Sequence, residues 1–576
     1  MKFFHVYNEV CFKGLEKNGL INKNTGFKIQ HCFAVPDERK FNVMAEKDGV
    51  LYNLIKDGNH PFYVDRIAGG ITYYPYKFNQ KLIQEYSELL GDWFLGFQLH
   101  ESGSNRRQSD WRRILRLMDG SKGPYDAELL KSKTVSRLPA ADGVQLYSFS
   151  QDHPETYAKM HYAETPEAYM DEMTDMFRRR MADVGGHILP CDSYYMATTL
   201  QDKLGMRTFM PEVGCQIPLM RVAVAMARGA AQKDNKTWGT YYECWREIPG
   251  VGYVMPCFNL DPINEWYLTQ ETHGDDFTTY GANGGSSRLL QNRIYHYALM
   301  SGADYFSEEW GLNCSYTDMQ DFTLSAYGEC KKAFINKAEE FEGVKAVTPF
   351  AIVLPNKYSC LEIPQVFDRY VLGEHRDKYL EVALDATGKS YYGHIEDVIK
   401  LIYGRDGATY GNEGHVLTNT RFGDMFDIIY EDASDEVLSK YAYLIDATKE
   451  GSFIQAKANA DYKILSSSDL NALSETIHAL EKEVLPCSVN CMHWLVSTDA
   501  KGNRYLSIFN NEGNERSLEK GDTIVDGVNT VAKVTFHVPA NLDLIHSSGA
   551  GASAQKTADD TYCVEVPAAG FAIFKF

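Results

Sequence analysis

The chain has 576 residues, enough for two to four domains and a large core. Its formal net charge of -20 excludes the clustered basic face that nucleic acid or an anionic membrane surface would need, and Arg106-Arg107 and Arg178-Arg179-Arg180 are too short to reverse that. Twelve cysteines without a repeating pair fit a reduced, cytoplasmic protein better than a disulfide scaffold, and neither a leader-like N-terminus nor a bilayer-length apolar run is present.

From about residue 26 to 340, short apolar strands alternate with amphipathic helices, the pattern of a parallel sheet. The strands are expected near 28–35, 62–67, 94–100, 144–149, 187–191, 207–211, 238–243 and 304–308. Eight strands over this length predict a (β/α)8 barrel in residues 1–343, with a doubly wound sheet as the alternative. Helices are expected over Gln80 to Leu90, Pro166 to Ala182, Leu219 to Ala231 and Ser286 to Met300, several behind a Ser, Thr or Asn capping signal. The polar, Gly-rich run 246–285 reads as an active-site loop.

A second βα series opens at Val347 and gives strands near 427–430, 443–447 and 462–465, with helices at about 392–403, 435–440 and 468–484. Residues 344–486 therefore read as a small flavodoxin-like α/β domain, without the glycine fingerprint of a phosphate site. From 487 onward, short alternating strands near 505–510, 531–538, 561–566 and 570–576 predict a C-terminal antiparallel β-sandwich, with 548–555 as a hairpin loop.

Three aromatic-rich strands end in glutamate: Trp93 to Glu101, Thr237 to Glu243 and Ala303 to Glu308-Glu309. Carboxylates at barrel strand tips suit general acid and nucleophile chemistry on a glycosidic bond. Adjacent residues of a strand face opposite ways, so only one of Glu308 and Glu309 can face the barrel axis, there to bind a substrate hydroxyl or to replace Glu243. Asp65, Arg66, His100, Asn105 and Asp192 sit where polar side chains hold sugar hydroxyls, although barrel-mouth salt bridging explains Asp65 equally well. Tyr242, Trp245 and Trp310 are candidates for an apolar platform under a pyranose, with core packing as the competing reading for at least one. The 13% aromatic content, with 37 Tyr, fits carbohydrate stacking and thick β-sheets equally. Cys487, Cys491 and His493 lack a fourth zinc ligand and read as a buried cluster, so no metal and no organic cofactor are expected.

The stretch Leu95-Gly96-Phe97-Gln98-Leu99-His100-Glu101-Ser102-Gly103 resembles the Gly-Trp-Gln-Ile-Asp-Asn-Glu-Tyr-Gly strand of the family 42 β-galactosidases, whose glutamate is the acid/base. Ser286-Ser287-Arg288, and Leu299 to Asp304, resemble that family's last helix and its Gly-Ala-Asp strand. The resemblance implies a retaining, exo-acting glycosidase that releases a terminal sugar such as galactose, with Glu101 as acid/base and Glu243, at the preceding strand end, as nucleophile. It also implies a flavodoxin-like oligomerisation domain, with a homo-oligomer, a trimer in the family, and a C-terminal β-domain. His100 replaces the family's asparagine, so the contact to the sugar 2-hydroxyl that the resemblance implies is lost or altered. In the strand count above Glu101 ends the third strand, whereas the family's acid ends the fourth. If residues 2–8 form an additional first strand, Glu212 rather than Glu243 ends the seventh, which makes Glu212 the rival nucleophile. The remaining alternatives are an inverting enzyme that uses Glu212 or Glu309, and a catalytically silent carbohydrate-binding protein marked by His100.

Overall fold

The computed structural model describes residues 1–7, 9–30, 49–65, 80–100, 174, 177–178, 181–182, 184–192, 197–214, 219–233, 236–244, 246–248, 252–254, 287–309, 315–316, 320–356, 393–404, 416–448, 451–490, 492–517, 521–524, 529–549 and 551–576. The expected strand at 144–149, most of the expected helix from Pro166 to Ala182 and most of the 246–285 loop lie outside them.

Eight parallel strand positions form a nearly closed barrel. The first is Lys2–Val6, which the sequence reading omitted from its count. Thr25–Gln30, Phe62–Asp65, Phe94–His100 and Ile188–Cys191 follow as the second to fifth. The sixth is broken into Thr208–Phe209 and Glu212–Gly214, the seventh is Thr237–Glu243 and the eighth is Tyr305–Glu308. The eighth pairs with the first through Lys2↔Tyr305 and Phe3↔Phe306. Between the fifth and sixth, Glu212 N donates to Asp192 O at 3.1 Å.

This corrects the first half of the strand count and leaves the fifth to eighth positions as expected. Phe94–His100 is the fourth strand, so Glu101 follows the fourth and not the third. It pairs directly with Ile188–Cys191, from Phe97↔Ile188 to His100↔Cys191, so Thr237–Glu243 is the seventh. Glu243, rather than Glu212, closes the seventh strand.

Alternation along the strands sorts two layers. Phe3, Phe27, Phe62, Phe97, Tyr242 and Phe306 join the core shared with the helices. Phe4, Tyr63, Leu189, Cys191, Met210 and Tyr241 form a separate cluster inside the barrel, with Leu95 and Tyr305 against it. Gly96 keeps the fourth strand in phase. The third and fourth strands pair Phe62↔Phe94 and then Val64↔Phe97, one residue longer on the fourth, and Gly96 takes φ 108° at this bulge. A Cβ there would lie 2.5 Å from the His187 carbonyl oxygen.

Behind the barrel, Phe426–Tyr430, Phe350–Leu354, Tyr443–Asp446 and Ile464–Ser466 form a four-stranded parallel sheet in that spatial order. The barrel helix Met220–Ala231 has every residue buried, and it packs so closely on this sheet that a Cβ on Gly229 would lie 2.2 Å from Ile428 O. Its apolar faces thus serve two sheets at once.

The C-terminal residues form two antiparallel sheets. One orders Lys345–Ala346, His493–Thr498, Arg504–Phe509, Phe571–Lys575 and Asp543–Ser547, and the other orders Cys487–Val489, Thr530–Phe536, Thr561–Val566 and Ser553–Ala558. The expected hairpin at 548–555 is therefore a crossing between sheets. Asp543–Ser547 pairs with Phe571–Lys575, whereas Ser553–Ala558 pairs with Thr561–Val566.

Candidate active site at the barrel mouth

The barrel interior changes character along its axis. At the strand starts it is filled by Phe4, Leu95, Met210 and Tyr305. Toward the strand ends it becomes polar. Tyr63 Oη and Ser307 Oγ lie 2.6 Å apart, and Lys28 Nζ stands 5.1 Å from the centre of the Tyr241 ring and donates to the Glu308 carbonyl. Gln98, opposite the inward Leu189, is fully buried, and among the described residues its side-chain amide has no hydrogen-bond partner.

Glu243 is the last residue of the seventh strand and is 2% exposed. It shares the inner face with Tyr241, two residues earlier. In register beside it on one side is Gly214, where a Cβ would lie 2.4 Å from Glu243 O and 2.6 Å from Glu243 Cβ. On the other side is the end of the eighth strand. Glu308 pairs with Tyr242 and Glu309 N donates to Tyr242 O at 2.8 Å, so Glu309 continues beside Glu243.

The choice between Glu308 and Glu309 follows from the same alternation. Ser307 meets Tyr63 inside the barrel, and Glu308 turns outward, where its carboxylate accepts the Tyr295 hydroxyl and pairs with Lys331 on the surrounding helices. Glu309, also 2% exposed, is the inward member in phase with Ser307. Glu308 is thereby removed from the expected substrate contacts.

Glu212 is buried on the inner face in register with Tyr241, one inner layer below Glu243. Tyr242, expected as a sugar platform, instead packs outward against Tyr295 and Phe306, with ring centres 6.2 and 6.4 Å away. Its neighbour Tyr241 holds the inward position. The sequence reading missed Tyr241 although strict alternation from Glu243 points to it. It also missed Lys28, whose signal was a lysine interrupting an apolar strand. Asp192 is buried directly after the fifth strand, and Asp65 and His100 end the third and fourth. Glu101, Arg66, Asn105, Trp245 and Trp310 lie outside the described residues.

No group of three or more His, Cys, Asp or Glu among the described residues has metal-ligand geometry. Cys487 is buried, and His493 donates from Nε2 to Asp424 at 2.6 Å while Nδ1 faces the Asn511 amide at 3.3 Å. Among the described residues, no helix is long and apolar enough to cross a membrane.

No family model matches the sequence, and no curated protein does. Among solved structures, the chain is similar to alpha-L-fucosidase isoenzyme 2 from Paenibacillus thiaminolyticus, with 9% identity over 99% of this chain and 96% of that one and a TM-score of 0.43. It is similar to GH5_18 from Streptomyces cattleya, solved in complex with GlcNAc, with 9% identity over 80% and 92% of the two chains and a TM-score of 0.33. It is also similar to alpha-amylase from H. orenii, with 10% identity over 86% and 63% and a TM-score of 0.23.

Proposed function

We propose that this protein is an exo-acting glycoside hydrolase that works by retaining double displacement. Glu101 protonates the departing glycosidic oxygen, Glu243 attacks the anomeric carbon, and Glu101 then activates the water that releases the sugar. The observation that carries the reading is the corrected strand count. Glu243 closes the seventh strand on the inner face of the barrel, and Glu101 directly follows the fourth, the two stations that the family 42 resemblance assigns to nucleophile and acid/base. Galactose is the first sugar to test, and His100 beside the acid is the reason to test others. A second reading uses Glu309 as partner to Glu243, favoured by their positions side by side on neighbouring strands. Residues 1–343, 344–486 and 487–576 are read as catalytic, flavodoxin-like and β-sandwich domains, the middle one in a homo-oligomer contact.

The test is a panel of p-nitrophenyl glycosides of both anomeric configurations, with the first-released anomer followed by NMR. Turnover with retention, abolished in Glu101→Gln and Glu243→Gln, supports the double displacement. Inversion would remove Glu243 as nucleophile, and sugar binding without turnover would favour a silent binding protein.

A further inference from the structure

We infer that Lys331, on the helix Ala326–Ala338 outside the barrel, is a positioning residue that aims Glu309 into the mouth by clamping its neighbour Glu308; this rests on the glycosidase reading above. The Glu308 carboxylate accepts from the Tyr295 hydroxyl through Oε1 and pairs with Lys331 Nζ through Oε2. Tyr295 Oη in turn accepts from Gln291 Nε2 at 2.6 Å, and Lys331 Nζ donates to Ser315 Oγ at 2.7 Å. Glu308 and Lys331 are each 1% exposed. The wall around them is aromatic, with Phe3, Phe306, Phe334 and Tyr295 ring to ring.

A buried ion pair is a poor way to hold such a wall, because a well-packed apolar pair of the same volume holds it as well or better. What the pair adds is direction. Residue 308 is gripped from both faces of the sheet: its carboxylate by Lys331 and Tyr295 on the outside, its carbonyl by Lys28 from the inside. The next residue is Glu309, whose amide donates to Tyr242 O at 2.8 Å and whose carbonyl accepts from Cys244 Sγ at 3.1 Å. Rotation of the strand end would swing Glu309 relative to Glu243. Lys331 also reaches Ser315, itself fixed to the helix start: Ser325 N donates to Ser315 O at 2.9 Å, and a Cβ on Gly328 would lie 2.1 Å from that oxygen. One ammonium thus ties the strand end at 308 to the chain at 315.

The test uses the full chain with Lys331→Met and Glu308→Gln combined, which removes both charges together and keeps an acceptor for Tyr295. The clamp predicts a folded protein in which amide exchange of the peptide covering 305–309 rises at least about tenfold, with exchange in the C-terminal sheets unchanged. It also predicts a kcat lowered by about 10- to 100-fold, the scale of a small displacement beside the reacting centre, with KM within about twofold. Unchanged exchange and unchanged kcat would overturn the inference. Tyr295→Phe provides a milder second variant should the double one not fold: a smaller rise in exchange at 305–309 supports the clamp and none contradicts it. If the wild type turns over no glycoside, the glycosidase reading fails, while exchange at 305–309 still decides the clamp.

Discussion

The seam behind the barrel and the mouth above it bury carboxylates to the same depth but surround them differently. At the seam, Asp424 takes Arg221 Nε at 2.9 Å on one oxygen and His493 Nε2 at 2.6 Å on the other, and so joins a barrel helix to a C-terminal strand. Asp427 pairs with Arg228 and accepts from Thr348 at 2.9 Å and Tyr441 at 3.0 Å. Burial alone would raise the Asp424 pKa, and Arg221 and His493 outweigh it, holding the group below the usual carboxylate range. At the mouth, the register neighbours of Glu243 are a residue with no side chain, Gly214, and a second glutamate, Glu309. At the seam, acids and cations from separate elements are matched and fasten those elements together, whereas at the mouth Glu212, Glu243 and Glu309 share one inward face of neighbouring strands.

The comparison is open to experiment from both sides. At the mouth, Glu243→Gln is expected to lower kcat by on the order of 10³-fold or more while leaving Tm near that of the wild type, checked by aryl glycoside kinetics and calorimetry. At the seam the roles reverse. Arg221→Met removes the guanidinium bonded to Asp424 and leaves the His493 ring and the more distant Arg228 around a buried carboxylate, which is expected to cost about 3 kcal/mol in denaturant unfolding, with kcat of the folded fraction kept.

Between these lies Gly214→Ala. Its methyl group would meet the Glu243 backbone and Cβ, so a loss of about 1 to 3 kcal/mol from overpacking is expected together with a fall in kcat. A fall in stability alone would show that Glu243 is not catalytically poised.

The seam also predicts a pH dependence. Burial, opposed by Asp424, lowers the His493 pKa from 6.5 to about 4. The unfolded chain therefore takes up this proton first on acidification, and stability present above pH 6.5 is lost as pH falls toward 4. The loss is expected as a fall in Tm across that window. His493→Gln should flatten the fall in Tm over that window. The smallest effect belongs to the exposed pair Lys23–Glu342, at 3.3 Å: Lys23→Ala should leave Tm and kcat within error of wild type.

Much of the frame was legible in the sequence. The seventh and eighth strands, the Ser287-capped helix Arg288–Met300 and the parallel strands after Val347 follow from periodicity and capping, because their side chains face one environment each. The first strand stood only as an alternative at residues 2–8, because its partner, the eighth strand, is some 300 residues away and nothing local shows that it joins the barrel. Its omission from the count alone misnumbered the candidate acid. The facing of Tyr241 and Tyr242, and of Glu308 and Glu309, was decided by register, which sequence alternation restricts but does not assign. The seam was invisible, since nothing local to Arg221 or Asp424 announces a partner about 200 residues away.

The most direct test of the account is covalent trapping of the full-length protein with a fluorinated, activated glycoside of whichever sugar the panel identifies, followed by peptide mapping of the labelled residue. The account predicts a single label on Glu243, absent in Glu243→Gln. A label on Glu309 or Glu212, or turnover with inversion and no label, would contradict it.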